Sequence, residues 1–419
     1  MFVIFAGSKQ YQMNSRKDYT YRVRCIITFV ALFVALFAVT SCHPEDKNRD
    51  NRSVIIYIAA NNSISSYAED CIEELKKGYI PSNGTKPDYL IVYVKYPSSA
   101  PTLTRYYLND NQELCEDILF TYPTSQNSAD ADVLEQVLND AESACPADLH
   151  GLILWSHASG WLPQGYYDNP IEQLQNLERA PYDPYSLIVK SDQSKSFAED
   201  NYSQIEIPAL SAALPQHYEF ILFDCCLMGT IEVAYELKDN CDYLLFSPTE
   251  ILAESFPYAT MMDKLFNYEN RAYALQKVCN DYYDYYQAKT GNSQSATVSL
   301  VRTSALDYLA STCATVYDNN RSKMSTVDAS SVQPYFRYQK HWFYDLDDYI
   351  SRIASTQEYA NFTTALNNAV IYKAATAKFL SIEIKKYSGL GTYIPNPDYQ
   401  YLNNYYKSLK WNQATKMVE

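Results

Sequence analysis

Glycine is scarce in this 419-residue chain, at 10 residues, and histidine is scarcer still, at five. No Cys-x-x-Cys pair occurs among the ten cysteines, and there is no His-Glu-x-x-His. Those absences speak against a structural zinc or a zincin-type site, and no metal or other cofactor is expected. Internal repeats and low-complexity blocks are also missing. Basic residues are outnumbered by acids, 34 against 49, for a net charge of −15. The first 24 residues carry +4 of that balance, which leaves −19 on the remainder. Such a charge argues against nucleic acid and against an anionic lipid surface as partners.

What the first 42 residues do contain is an export signal. Lys9, Arg16, Lys17, Arg22 and Arg24 precede an apolar run from Ile26 to Val39. That run is short of the roughly 20 residues a spanning helix needs, and it stops at Thr40-Ser41-Cys42. Val39-Thr40-Ser41-Cys42 resembles a bacterial lipobox, which implies cleavage before Cys42 and lipidation of its thiol. The bland alternative is an uncleaved signal anchor. Residues 43–52 are polar, cannot bury enough surface to fold, and read as a solvated tether. The expected location is therefore the bacterial cell envelope, membrane-anchored on the periplasmic or surface side.

Beyond the tether, strand-length apolar runs alternate with helical patterns. Val54–Ala59 and Tyr89–Val94 read as strands, Thr104–Leu108 as a third, and Ser65–Lys77 as a helix. A second helix is expected over Ala129–Ala144. Two further runs carry the chemistry. Gly151–Ser156 ends at His157, and Tyr218–Phe223 ends at Asp224-Cys225-Cys226. Open α/β sheets place their sites at the carboxyl ends of strands, so the two side chains would face one crevice. Later elements are a helix at Gly229–Lys238, a strand at Tyr243–Phe246, a helix near Arg271–Lys289, a strand at Thr297–Val301 and a helix near Ser304–Tyr317. Residues 319–331 read as a polar linker before an α+β appendage. The cluster Asp345-Leu346-Asp347-Asp348 lacks EF-hand spacing and reads as a solvated helix start.

A thiolate is the nucleophilic form of cysteine, and a nearby imidazole can take the thiol proton or stabilise the thiolate. A Cys and a His somewhere in one chain are more often structural than catalytic. Position favours His157, the only histidine that ends a strong strand pattern and enters a Ser-Gly-Trp turn. Cys226 is placed by the pattern at a strand-to-helix junction, where backbone N–H groups favour a thiolate. Cys225 reads as a packing thiol.

Trp155-Ser156-His157-Ala158-Ser159-Gly160-Trp161 resembles the catalytic-histidine motif of clostripain-like cysteine peptidases. Phe223 to Leu237 resembles their nucleophile motif closely, and Ser247-Pro248-Thr249-Glu250 and Ser388 to Pro395 resemble two supporting motifs. The resemblance implies a caspase-like α/β fold, a mostly parallel sheet flanked by helices with a smaller C-terminal α+β region. The chain is read as signal peptide 1–41, tether 42–52, peptidase domain 53–318 and C-terminal α+β subdomain 319–419, and a monomer is expected. The resemblance further implies a cysteine endopeptidase acting on peptides or proteins after Arg or Lys, with His157 and Cys226 as a dyad. The implied oxyanion hole is made by the backbone N–H groups of Ala158 and Cys226. Asp224 corresponds to the carboxylate under the basic P1 side chain, or alternatively caps the following helix. Glu250 and Glu254 belong to a loop that would form another wall of that pocket. Some relatives are zymogens cut between base and nucleophile, which makes Arg179, Lys190 and Lys195 candidate sites. Two departures, Ala158 where Gly is common and Ala253-Glu254-Ser255 for a Gly-rich stretch, keep open a catalytically silent lipoprotein that binds peptide or glycan in the same cleft. An alanine at 158 keeps its N–H but would be strained if that position needs positive φ.

Overall fold

The computed structural model describes residues 49–164, 166, 197–200, 203–268, 270–336 and 342–419. Cys42, most of the tether, and Arg179, Lys190 and Lys195 lie outside the described residues. Nine strands form the main sheet: β1 (Arg52–Ala59), β2 (Tyr89–Lys95), β3 (Thr102–Leu108), β4 (Leu114–Thr121), β5 (Leu149–Trp155), β6 (Tyr218–Asp224), β7 (Cys241–Phe246), β8 (Thr297–Arg302) and β9 (Val370–Ala375). Their spatial order is β9-β8-β7-β6-β5-β1-β2-β3-β4. The five central strands β2, β1, β5, β6 and β7 are parallel, while β3, β4, β8 and β9 extend both edges by antiparallel pairing. The sheet is thus mixed, with its parallel part at the centre.

Chemistry explains which strands sit where. β1 is buried along its whole length, as a continuous β-branched run covered on both faces should be. β4 was not expected from the sequence. Its residues are largely exposed, and Glu116-Asp117 interrupt its apolar pattern, as suits an edge strand. Helices α1 (Ser65–Lys77), α2 (Ala131–Ala144), α3 (Ile231–Glu236), α4 (Tyr258–Leu265), α5 (Arg271–Gln287), α6 (Leu306–Asn319) and α7 (Thr356–Ala369) supply apolar stripes to the core. α1 buries Ala68, Cys71, Ile72 and Leu75, at the i, i+3, i+4, i+7 spacing of one helical face.

Two boundaries move. The tether was expected to run to residue 52, yet Arg52 begins β1 and is buried, its guanidinium bound to the Glu219 carboxylate at 2.5 Å and to the Asn267 carbonyl. A buried charge is tolerated when it is paired in this way. The stretch from 319 was expected to stand as its own subdomain. Instead it contributes β9 to the main sheet, and residues 50–419 form one compact unit. The acidic cluster does begin a helix, with Asp345 capping the Asp348 N–H at 2.8 Å, but Asp345 and Asp348 are buried rather than solvated.

Candidate active site

The site follows from sheet register. Trp155 on β5 lies opposite Asp224 on β6 in a parallel ladder. His157 and Cys226 each follow by two residues, so they leave adjacent strands at the same height, with the strands about 4.8 Å apart. β1 lies on the other side of β5, and β2 continues beyond it. The chain order therefore reverses between β1 and β5, the switch point at which open α/β sheets form their crevice. His157 sits beside it.

His157 is 1 % exposed. Its Nε2 lies 3.0 Å from Ser63 Oγ, in the loop after β1, and 3.7 Å from Glu199 Oε2. Glu199 belongs to the short strand Phe197–Asp200, which forms a bridge to Ala158 and packs the Phe197 ring against Phe223. Sequence reading missed both Ser63 and Glu199. Glu199 stands apart from the family motifs, and polar residues in loops carry no periodic signal.

Cys226 is fully buried, and its Sγ faces the backbone of Ile251, with the Ile251 N–H donating at 3.3 Å. The helix after Cys226 starts later than expected. α3 begins at Ile231 and is capped by Thr230, whose hydroxyl accepts from the Val233 N–H at 3.3 Å. Four residues separate Cys226 from that helix, so the loop 247–251, not the helix end, supplies the neighbouring N–H. That loop is laced to the nucleophile turn by Leu227 N–H to Thr249 carbonyl at 2.9 Å and Gly229 N–H to Ser247 carbonyl at 2.8 Å. Leu227 takes a φ of 63°, a strained value for a branched side chain. Cys225 points back into the sheet, its Sγ 3.3 Å from the Leu154 carbonyl.

Positive φ in this region falls on Gly160 and Leu227, not on Ala158. Ala158 thus carries its Cβ without the strain that a left-handed position would impose. At Gly160, a Cβ would stand 2.6 Å from the Leu227 carbonyl oxygen, so glycine is required where the His turn passes the Cys turn.

The three carboxylates differ. Asp224 is fully buried at the end of β6 and accepts from Tyr258 Oη at 2.9 Å, and with burial this pushes the Tyr258 phenol well above its usual pKa. Glu250 is fully buried, its carbonyl held by the Thr249 hydroxyl at 3.0 Å. Glu254 is half-exposed, bound to Lys289 and to Tyr285 Oη at 2.9 Å.

A thiol and an imidazole presented at one level by neighbouring parallel strands, within a helix-flanked mixed sheet, define the caspase-like α/β class. The family model described as "Clostripain family" matches residues 56–173 and 182–419, and the chain belongs to that family. It resembles an inactive zymogen C11 protease from Parabacteroides distasonis, with 32% identity and a TM-score of 0.72 over 88% of this chain and 99% of that one. A secreted C11 cysteine protease from Bacteroides thetaiotaomicron, solved with an irreversible peptide inhibitor, is 27% identical with a TM-score of 0.69, over 87% and 98%. Clostripain from Hathewaya histolytica is 26% identical over 246 residues, 53% of this chain. The chain spans 43% of that protein's length in the match.

Proposed function

We propose that this protein is a cysteine endopeptidase in which Cys226 attacks the carbonyl after a P1 Arg or Lys and His157 moves the proton. The observation that carries the reading is the shared register of β5 and β6, which brings the two residues to the same level on neighbouring strands. In the proposed cycle the thiol proton passes to imidazole and the sulfur adds to the scissile carbonyl. The Ala158 and Cys226 N–H groups receive the developing oxyanion, a contribution of about 3 kcal/mol for each donor. The leaving amine takes the proton from imidazolium, and water then hydrolyses the acyl-enzyme. Asp224 is the carboxylate that recognises the basic side chain, by charge-assisted hydrogen bonding. Glu250 and Glu254 line the pocket wall, where Lys289 already engages Glu254. The silent-binder reading loses its main support, because Ala158 is unstrained.

An exported lipoprotein, lipidated at Cys42 and held off the bacterial envelope by its tether, is the proposed setting. The burial of Cys226 and His157 fits a closed form that must open before substrate enters. Cleavage at Arg179, Lys190 or Lys195 is a proposed route to opening.

Cleavage of fluorogenic Arg and Lys peptides by wild type, lost in Cys226→Ala, is the expected result. Equal rates for the two proteins would sink the proposal. Mass spectrometry of the mature protein reads the diacyl group on Cys42, and an intact leader would remove the anchor.

A further inference from the structure

The histidine edge described above is built more elaborately than a two-residue dyad requires. Nε2 of His157 meets Ser63 Oγ at 3.0 Å and Glu199 Oε2 at 3.7 Å, from two separate segments. The placement of Glu199 is not casual. Its N–H donates to Ser156 Oγ at 3.1 Å, and its carbonyl accepts from Asn62 Nδ2 at 3.0 Å. The next residue, Asp200, takes the Ser128 N–H at 2.7 Å and Asn61 Nδ2 at 2.5 Å. The preceding residue, Ala198, is held at a φ of 61°, a conformation that alanine adopts only when its surroundings dictate it. Four hydrogen-bonding groups, from the loop after β1, the turn after β5 and the segment before α2, thus fix the backbone of Glu199 and its neighbour Asp200, and with it the Glu199 carboxylate beside one imidazole nitrogen. Its side chain is 12 % exposed, so water screens it little.

We infer that Ser63 and Glu199 are positioning residues that fix the ring of His157 and stabilise its imidazolium. The inference rests on the proposed Cys226–His157 chemistry. When the S–H bond of Cys226 breaks, the proton forms an N–H bond at the other ring nitrogen, Nδ1. The hydrogen on Nε2 then bonds to Ser63 Oγ or Glu199 Oε2, and the new positive charge lies beside a carboxylate. Departure of the amine takes the Nδ1 proton, and the ring returns to neutrality with Nε2 still held. The other titratable groups on the surrounding elements are otherwise engaged. Asp200 is bound by Ser128 and Asn61, and Asp224 by Tyr258.

The test is a set of variants, Glu199→Gln, Glu199→Asp and Ser63→Ala, read by pH profiles. Hydrolysis gives kcat and KM, and alkylation of Cys226 by iodoacetamide gives the same imidazolium titration without substrate. A carboxylate this close raises an imidazolium pKa by about 1 unit or more, so Glu199→Gln should move the alkaline limb of both profiles down by about that much. Its kcat should fall about tenfold with KM within about twofold, in the range of a lost acid–base contribution. Glu199→Asp should restore the limb, and Ser63→Ala should lower kcat without moving it. Unmoved limbs in Glu199→Gln overturn the inference, as does a loss confined to KM. A fall in activity that tracks a lower melting temperature with the limb in place would show a merely structural role and overturn it too. If wild type alkylates with the expected limb but cleaves no Arg or Lys peptide, the peptidase reading fails while this inference stands. No labelling of Cys226 at any pH removes both.

Discussion

At the scale of single residues, the nucleophile turn is held by contacts that leave no room for a methyl group. A Cβ on Gly229 would lie 2.4 Å from Pro248 N and 2.6 Å from the Ser247 carbonyl carbon, both backbone atoms that cannot step aside. Gly229→Ala is therefore expected to displace the loop that brackets Cys226, at a cost of about 1–3 kcal/mol as in other overpacked sites. Denaturant midpoints read the stability change, and the peptide assay should lose far more than that stability change alone explains. An unchanged midpoint would show that the loop yields freely. The strand-end placement of His157 and Cys226 was legible in the sequence because each follows a continuous apolar strand. Ser63 and Glu199 were not, since Ser63 reaches His157 across 94 residues, and no local pattern records such a distance.

At the scale of elements, strand and helix interiors followed from periodicity, and ends did not. α1 spans the expected Ser65–Lys77, whereas α3 begins at Ile231 because Thr230, not Gly229, offers the capping hydroxyl. The antiparallel edges were harder to read, as half-exposed strands lack a continuous apolar run. α7 shows how much an end can matter. Ser355 and Glu358 form a reciprocal capping box, and Asn319 at the end of α6 and Asn320 just beyond it also donate to the Glu358 carboxylate. These bonds, led by the Ser355 N–H, hold the Glu358 carboxyl down at about 2. A depressed carboxylate contributes stability above its unfolded pKa, and that stability is lost as pH falls towards the folded value. Ser355→Ala should cost about 1 kcal/mol at neutral pH. Glu358→Gln should remove the acid-dependent part, so its stability should fall less than that of wild type on acidification, and urea titrations at two pH values check this.

At the scale of the whole molecule, the C-terminal hundred residues are tied to the helix after β6 by a buried acid. Glu232 Oε1 accepts from Tyr406 Oη at 2.7 Å, the Tyr393 N–H at 2.9 Å and Thr392 Oγ1 at 3.0 Å. Burial raises its pKa from the ordinary 4.5 despite those bonds, and burial likewise raises Asp345. A carboxyl with a raised folded-state pKa makes the folded protein bind the extra proton, so stability falls as pH climbs through that interval. Wild type should lose stability from about pH 5 upward, starting near the unfolded glutamate pKa. Glu232→Gln, uncharged throughout, should flatten that slope in urea midpoints measured across the same range. A slope identical to wild type would mean that Glu232 is ionised in the folded state.

The same tie has a consequence for timing. The carbonyl of Gly229, three residues after the nucleophile, receives its hydrogen bond from the Gly391 N–H at 2.8 Å, and Glu232 reaches Thr392 across 160 residues of chain. A ribosome must therefore add those residues before the turn after Cys226 acquires its full set of supports. A nascent chain stalled before residue 391 would carry both Cys226 and His157 with the turn between them and the C-terminal segment unsupported. The order of synthesis thus fixes when the turn after Cys226 is complete.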